Sequence, residues 1–190
     1  MADLKLDPAK TAVLCLDMHN AIVERVPEAM REKLVPTVRQ VLDRARQGGV
    51  QVIYVAVGRR RDFMSPRNRF SGATGWTNPA EEAERMKIVE GVAPLEGEPI
   101  VRKPRMGAFY GTELQSMLAA RDIDTIVLTG VATNFVVEST ARFAADADYR
   151  VIVLEDGCGA FSEETHANSI SSMGLFVEVS SSGDFLDSIR

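Results

Sequence analysis

Histidine and cysteine are scarce in this chain, two of each in 190 residues. His19 and His166 lie far apart, as do Cys15 and Cys158, and no CxxC or mixed Cys/His cluster occurs. The spacing therefore offers no zinc framework and no disulfide scaffold, and cysteine usage of this kind fits a reducing, cytoplasmic setting. No apolar run of membrane-spanning length interrupts the chain and no signal-like segment opens it, so the expectation is no membrane association. There is no excess of positive charge. The net charge of −5 disfavours nucleic acid and anionic lipid as partners. Internal repeats, low-complexity tracts and linkers are also missing.

What is present is ordinary for a globular protein: 45% hydrophobic and 26% charged residues. One domain spanning 1–190 is expected. Apolar runs rich in β-branched residues occur at Thr11–Asp17, Val50–Val57, Thr125–Gly130, Arg150–Glu155 and Leu175–Ser180, with a weaker one at Glu98–Arg102. Four are apolar on both faces, as strands covered by helices on both sides are. Helical patterns separate them. Pro36 reads as a first-turn residue of a helix ending at Gly48-Gly49. Thr112 can cap a helix carrying Leu114, Met117 and Leu118. Thr133 or Asn134 can cap one with Val136, Val137, Thr140, Ala141 and Ala144 inward, and Ser162 can cap another. This alternation predicts an α/β fold with a mostly parallel sheet. Gly58 to Gly97 is a long polar excursion broken by Pro66, Gly72, Gly75 and Pro79, to be read as a site-covering loop or an oligomer contact.

Three segments follow strand ends, and a parallel sheet gathers such ends on one edge. Asp17 ends the first strand, where partial burial would raise its pKa toward acid/base use; a helix-capping Asp is the other reading. Lys103 follows a strand and could stabilise a developing oxyanion, although Arg102, Lys103 and Arg105 equally make a solvated charge run. The turn at 130–136 could aim the N–H groups of Ala132 and Val136 at a carbonyl oxygen, or be an ordinary connection.

Leu16-Asp-Met-His-Asn20, Lys103-Pro-Arg-Met-Gly-Ala-Phe-Tyr-Gly-Thr-Glu-Leu114 and Thr129-Gly-Val-Ala-Thr-Asn-Phe-Val-Val-Glu-Ser-Thr-Ala141, in this order, resemble the isochorismatase-like cysteine hydrolase superfamily. The likeness covers nearly the whole chain. It implies a three-layer α-β-α, Rossmann-like fold, with a six-stranded mostly parallel sheet and helices on both faces. It also implies hydrolysis of a small amide, ureido or related C–N bond through an Asp–Lys–Cys triad. Asp17 and Lys103 match two members of that triad, and Val131–Ala132 matches a non-proline cis peptide that would orient the oxyanion donors Val131, Ala132 and Val136.

The nucleophile position matches Val136, and valine has no lone pair with which to attack. Cys15, inside the first strand, and Cys158, after the fifth, are read as core or loop residues rather than substitutes. Three explanations stay open: a deliberate replacement to trap a ligand, cysteine-independent chemistry through Asp17 as in vinyl-ether-cleaving isochorismatases, or a catalytically silent binding protein. The likeness further implies assembly as a homodimer or homotetramer. No cofactor is expected, and no metal, since Gly58–Phe70 lacks the histidines of the nicotinamidase branch. His166 is read as solvent-facing and His19 as a surface or supporting residue. Arg61, Trp76, Arg105 and Phe109 are the candidates for contact with a small, possibly anionic substrate; the loop holding Arg61 reads equally as solvated or subunit-contacting.

Overall fold

Every side chain of the first strand, β1 (Thr11–Leu16), is buried, and its alternate residues go to different places. Val13 and Cys15 join one apolar cluster, while Ala12, Leu14 and Leu16 join another. A period of two puts neighbouring side chains on opposite faces, so a strand apolar at every position needs cover on both sides. In the computed structural model, which describes residues 4–58 and 83–189, helices supply that cover.

The helices α1 (Asn20–Val23) and α2 (Glu28–Gln47) lead from β1 to β2 (Gln51–Val57), and β3 (Ile100–Lys103) follows. Then come α3 (Leu114–Ala119), β4 (Thr125–Val131), a π turn at Thr133–Val137 and α4 (Glu138–Asp146). The chain closes with β5 (Arg150–Gly159), α5 (Glu163–Met173), β6 (Glu178–Ser180) and α6 (Ser182–Ser188). The sheet has six strands in the order β3-β2-β1-β4-β5-β6, every pair parallel. Leu34, Val38, Val41, Leu42 and Ala45 of α2, with Phe185 of α6, cover one face. Leu114 and Leu118 of α3, Ala141 and Ala144 of α4, and Ile170 and Met173 of α5 cover the other. The expected three-layer α/β architecture is therefore the observed one. Strand order reverses between β1 and β4, and a crevice opens at such a switch point beyond the carboxyl ends of the strands.

Several local expectations are corrected. Pro36 lies inside the twenty-residue α2 rather than in its first turn. It sits on the solvent face, as does Glu32 one turn earlier, where water can satisfy the carbonyl that proline leaves without a donor. The fifth strand runs on to Gly159, because one residue of β4 between Leu128 and Gly130 faces four of β5 between Val153 and Cys158. This bulge keeps the ladder going, so Cys158 lies within the strand. The last strand is only Glu178–Ser180, and Leu175 is fully out in solvent on the turn after α5. The expected cap at Ser162 is present, its hydroxyl accepting from Thr165 N–H at 3.1 Å. Neither Thr133 nor Asn134 caps α4; both lie within the π turn.

Candidate functional site

The β1/β4 seam is closest where β1 ends. Gly130 pairs with Leu16 and has φ +124°, and a Cβ there would stand 2.1 Å from the Leu16 carbonyl oxygen. Only glycine permits that approach. Immediately beyond, Asp17 adopts φ 48°, a left-handed conformation that aspartate tolerates better than most residues. Its N–H still bonds Val55 O on β2 at 2.8 Å. The main chain thus stays attached to the sheet while the turn begins.

Lys103 ends β3 opposite Val57 of β2, two strands away from Asp17. A long unbranched side chain is what this separation of roughly 10 Å demands. Lys103 Nζ reaches Asp17 Oδ2 at 2.8 Å, and both side chains are buried. The same ammonium donates to Arg105 O at 3.0 Å. Asp17 Oδ1 is buried and has no hydrogen-bond partner among the described residues. Burial pushes the Asp17 carboxyl up to about 6, against the opposing pull of Lys103. A carboxyl poised there can take a proton and return it at neutral pH.

Beyond β4 the Val131–Ala132 peptide is cis, and the π turn starts at once. Phe135 N–H and Val137 N–H both bond Ala132 O, at 3.0 and 3.4 Å. Val136 is buried in the cluster on the α3–α5 side of the sheet. The β1–β4 register sets this turn beside Asp17 at the same sheet edge. Aspartate, lysine and the Val131–Val136 turn thus converge on one rim, and the first two touch.

Of the two readings of His19, surface or supporting, the structure favours the second, while His166 departs from the solvent-facing position expected of it. His19 is wholly buried, not at the surface. Val57 N–H donates to its Nε2 at 3.1 Å and its Nδ1 meets Met86 O at 2.6 Å. Burial lowers its pKa to about 4, so it serves as a neutral pin between the end of β2 and the segment at 86–89. That segment also receives Asn20 N–H on Lys87 O, and gives Val89 N–H to Met18 O. The described part of the 58–97 excursion therefore lies against the turn that follows Asp17. His166 is half-buried rather than solvent-facing, with Nδ1 2.8 Å from Thr133 Oγ1. Helix α5 thereby holds the start of the π turn, which a local reading of an acidic helix could not reveal.

Phe109 stacks on Phe143, ring centroids 4.7 Å apart, and tilts toward Tyr149 at 6.0 Å. Ala108 N–H donates to Thr140 Oγ1 at 3.1 Å. Together these fasten the loop after Lys103 to α4. Thr140 was the available signal, a hydroxyl within an otherwise apolar helix stripe. Arg105 is half-buried, and its Nη1 donates to Pro104 O at 2.9 Å. Arg61 and Trp76 lie outside the described residues. Cys15 and Cys158 are buried in the two clusters, and burial raises both thiols well above their ordinary range. Such thiols stay protonated and unreactive. Among the described residues no three His, Cys, Asp or Glu side chains group to hold a metal ion, and no helix is long and apolar enough to cross a membrane.

Comparison with known proteins adds a family context. Residues 11–184 match the sequence model of the isochorismatase domain. The chain is 36% identical over 170 residues to the uncharacterized isochorismatase family protein YwoC of Bacillus subtilis, covering 87% of this chain and 86% of that one. It is 31% identical over 176 residues to the ureidoacrylate amidohydrolase RutB of Rhizobium rhizogenes, covering 80% and 72%. Its fold superimposes on a cysteine hydrolase of Pseudomonas syringae pv. phaseolicola with a TM-score of 0.82 and 26% identity, covering 98% and 95%.

Proposed function

This chain belongs to the isochorismatase family of hydrolases, and on that premise we propose that its site takes a small amide, ureido or related C–N substrate, with the covalent step impaired by Val136. The observation that carries the reading is the buried Asp17–Lys103 pair, 2.8 Å long, at the rim where β4 gives way to the Val131–Ala132 turn. The amidohydrolase name of the RutB relative supports the C–N class.

In this reading the N–H groups of Ala132 and Val136 receive the carbonyl oxygen, and Lys103 keeps positive charge next to the developing anion. Asp17 takes the proton of the attacking group and passes it to the leaving nitrogen. A cysteine at 136 would attack the carbonyl as thiolate, form a thioester and lose it to water. A valine cannot, so only attack by water is left to the present side chains. Cysteine-independent cleavage of an activated ether or ester is the second reading, favoured by the unpartnered, buried Asp17 Oδ1 and its raised pKa.

The test is a set of three proteins, the native chain, Val136→Cys and Val136→Cys/Asp17→Asn, assayed on amides, ureides and enol-ether acids. We expect Val136→Cys to gain C–N hydrolysis and an acyl adduct visible by mass spectrometry, and Asp17→Asn to abolish both. A folded Val136→Cys protein that hydrolyses none of the panel and forms no adduct refutes the first reading. Turnover by the native chain with a carboxylate limb in its pH profile supports the second. The same reading takes the working unit as a homodimer or homotetramer, which light scattering would test.

A further inference from the structure

Near the switch point, Arg25 has an aromatic partner and no acidic one among the described residues. Arg25 follows α1 on the segment leaving β1, Phe161 follows the end of β5, and Phe135 belongs to the π turn after β4. Since β1, β4 and β5 are neighbours, all three residues stand at the carboxyl-end rim. The Arg25 guanidinium carbon lies 4.0 Å from the centroid of the Phe161 ring. That ring is 6.0 Å from Phe135, with planes inclined at 44°, and Phe135 immediately precedes Val136. Both phenylalanines also pack on the α2-side core, which anchors the platform.

Several other cations are matched by carboxylates: Lys103 by Asp17, Arg46 by Glu98, Arg142 by Glu138 and Arg150 by Glu178. Arg25 is exposed, and its side chain makes no hydrogen bond or ion pair among the described residues. A guanidinium lying over an aromatic ring uses its face for stacking and keeps its N–H edge available for a planar bidentate acceptor. The contact restricts the side chain before any ligand arrives, which lowers the ordering cost of capturing a carboxylate.

The geometry points to Arg25, held over Phe161, as the residue that selects substrates bearing a carboxylate. The substrate class is a small ureido or amido acid whose carboxylate lies a short chain away from the carbonyl that meets the Val131–Val136 turn. This rests on the hydrolase reading for the identity of that carbonyl, but recognition can be measured without turnover.

The experiment is calorimetric titration of the native valine chain with 3-ureidopropanoate and, as its uncharged counterpart, 3-ureidopropanamide. The acid is expected to bind at least about ten-fold more tightly than the amide, as a charge-assisted bidentate contact would give. Arg25→Gln should remove that preference and leave amide binding unchanged, and its exposed position spares the fold. Phe161→Leu, which keeps the charge but removes the platform, should give an intermediate loss. An acid preference that survives in Arg25→Gln, equal binding of acid and amide by the native chain, or binding of neither would overturn the assignment. The two readings fail separately. Arg25-dependent binding with an inert Val136→Cys protein would sink only the hydrolase; hydrolysis by Val136→Cys with no role for Arg25 would sink only the carboxylate site.

Discussion

Two ion pairs of nearly equal length sit at different depths in this molecule and titrate in opposite directions. Lys103–Asp17 spans 2.8 Å with side chains 4% and 7% exposed; Arg150–Glu178 spans 2.7 Å with side chains 39% and 49% exposed. At Glu178 the hydrogen bond from Arg150 is the largest influence and holds the carboxyl below its usual range. At Asp17 burial is the largest influence and carries the carboxyl upward despite an equally close cation. Distance alone therefore says little about a charged pair. What water can still reach decides whether pairing wins or desolvation does.

Breaking the buried pair should have the largest effect. Lys103→Met leaves Asp17 buried without a counter-charge, an expected loss of about 3–5 kcal/mol in urea unfolding. Adding Asp17→Asn should recover most of it, since no lone charge then remains. His19→Ala comes next. It strips partners from Val57 N–H and Met86 O, and because water can enter the space the ring leaves and bond them, the expected loss is about 1–3 kcal/mol in total. Arg150→Ala is the small end of the scale, within about 1 kcal/mol and weakening further in salt. If Arg150→Ala cost as much as Lys103→Met, the contrast between the pairs would be lost.

The pH dependence sharpens the same contrast. Asp17 has a folded-state pKa of about 6 against an ordinary 3.8, so the folded protein holds this proton more firmly than the unfolded chain does. Its contribution favours folding at low pH and is lost as pH rises through roughly 4 to 6. Glu178 behaves oppositely: its contribution is present above the ordinary 4.5 and is lost as pH falls. Subtracting Asp17→Asn and Glu178→Gln unfolding curves from the native one across this range should give slopes of opposite sign, the second one small because Glu178 is half exposed. His19, lowered to about 4 from 6.5, also loses stabilisation on acidification and opposes Asp17 over nearly the same window. In any turnover that uses Asp17 as base, kcat/KM should rise through an apparent pKa near 6, and a flat profile would remove that role.

Much of the fold was legible because its signals are local. Runs such as Ala12–Leu16 and Ile126–Leu128 are apolar at every position, and only a strand covered on both faces buries them. The strand ends near Asp17, Lys103 and Gly130 were readable to within one residue for the same reason, as was the cap at Ser162. Other features were not local. Pro36 resembles a helix start until the twenty-residue helix around it places it toward solvent. The continuation of β5 through a bulge depends on its pairing with β4. His166 finds its purpose only when α5 brings it to Thr133.

By itself, then, the sequence determined the alternation of elements, the parallel sheet and which residues would stand at strand ends, because period and propensity act over a few residues. Only the tertiary structure decided that Lys103 spans β2 to reach Asp17, that His19 is a buried pin, and that Arg25 lies on Phe161. Each of these joins residues far apart in the chain. Their energetics depend on water excluded by neighbours that no local pattern names.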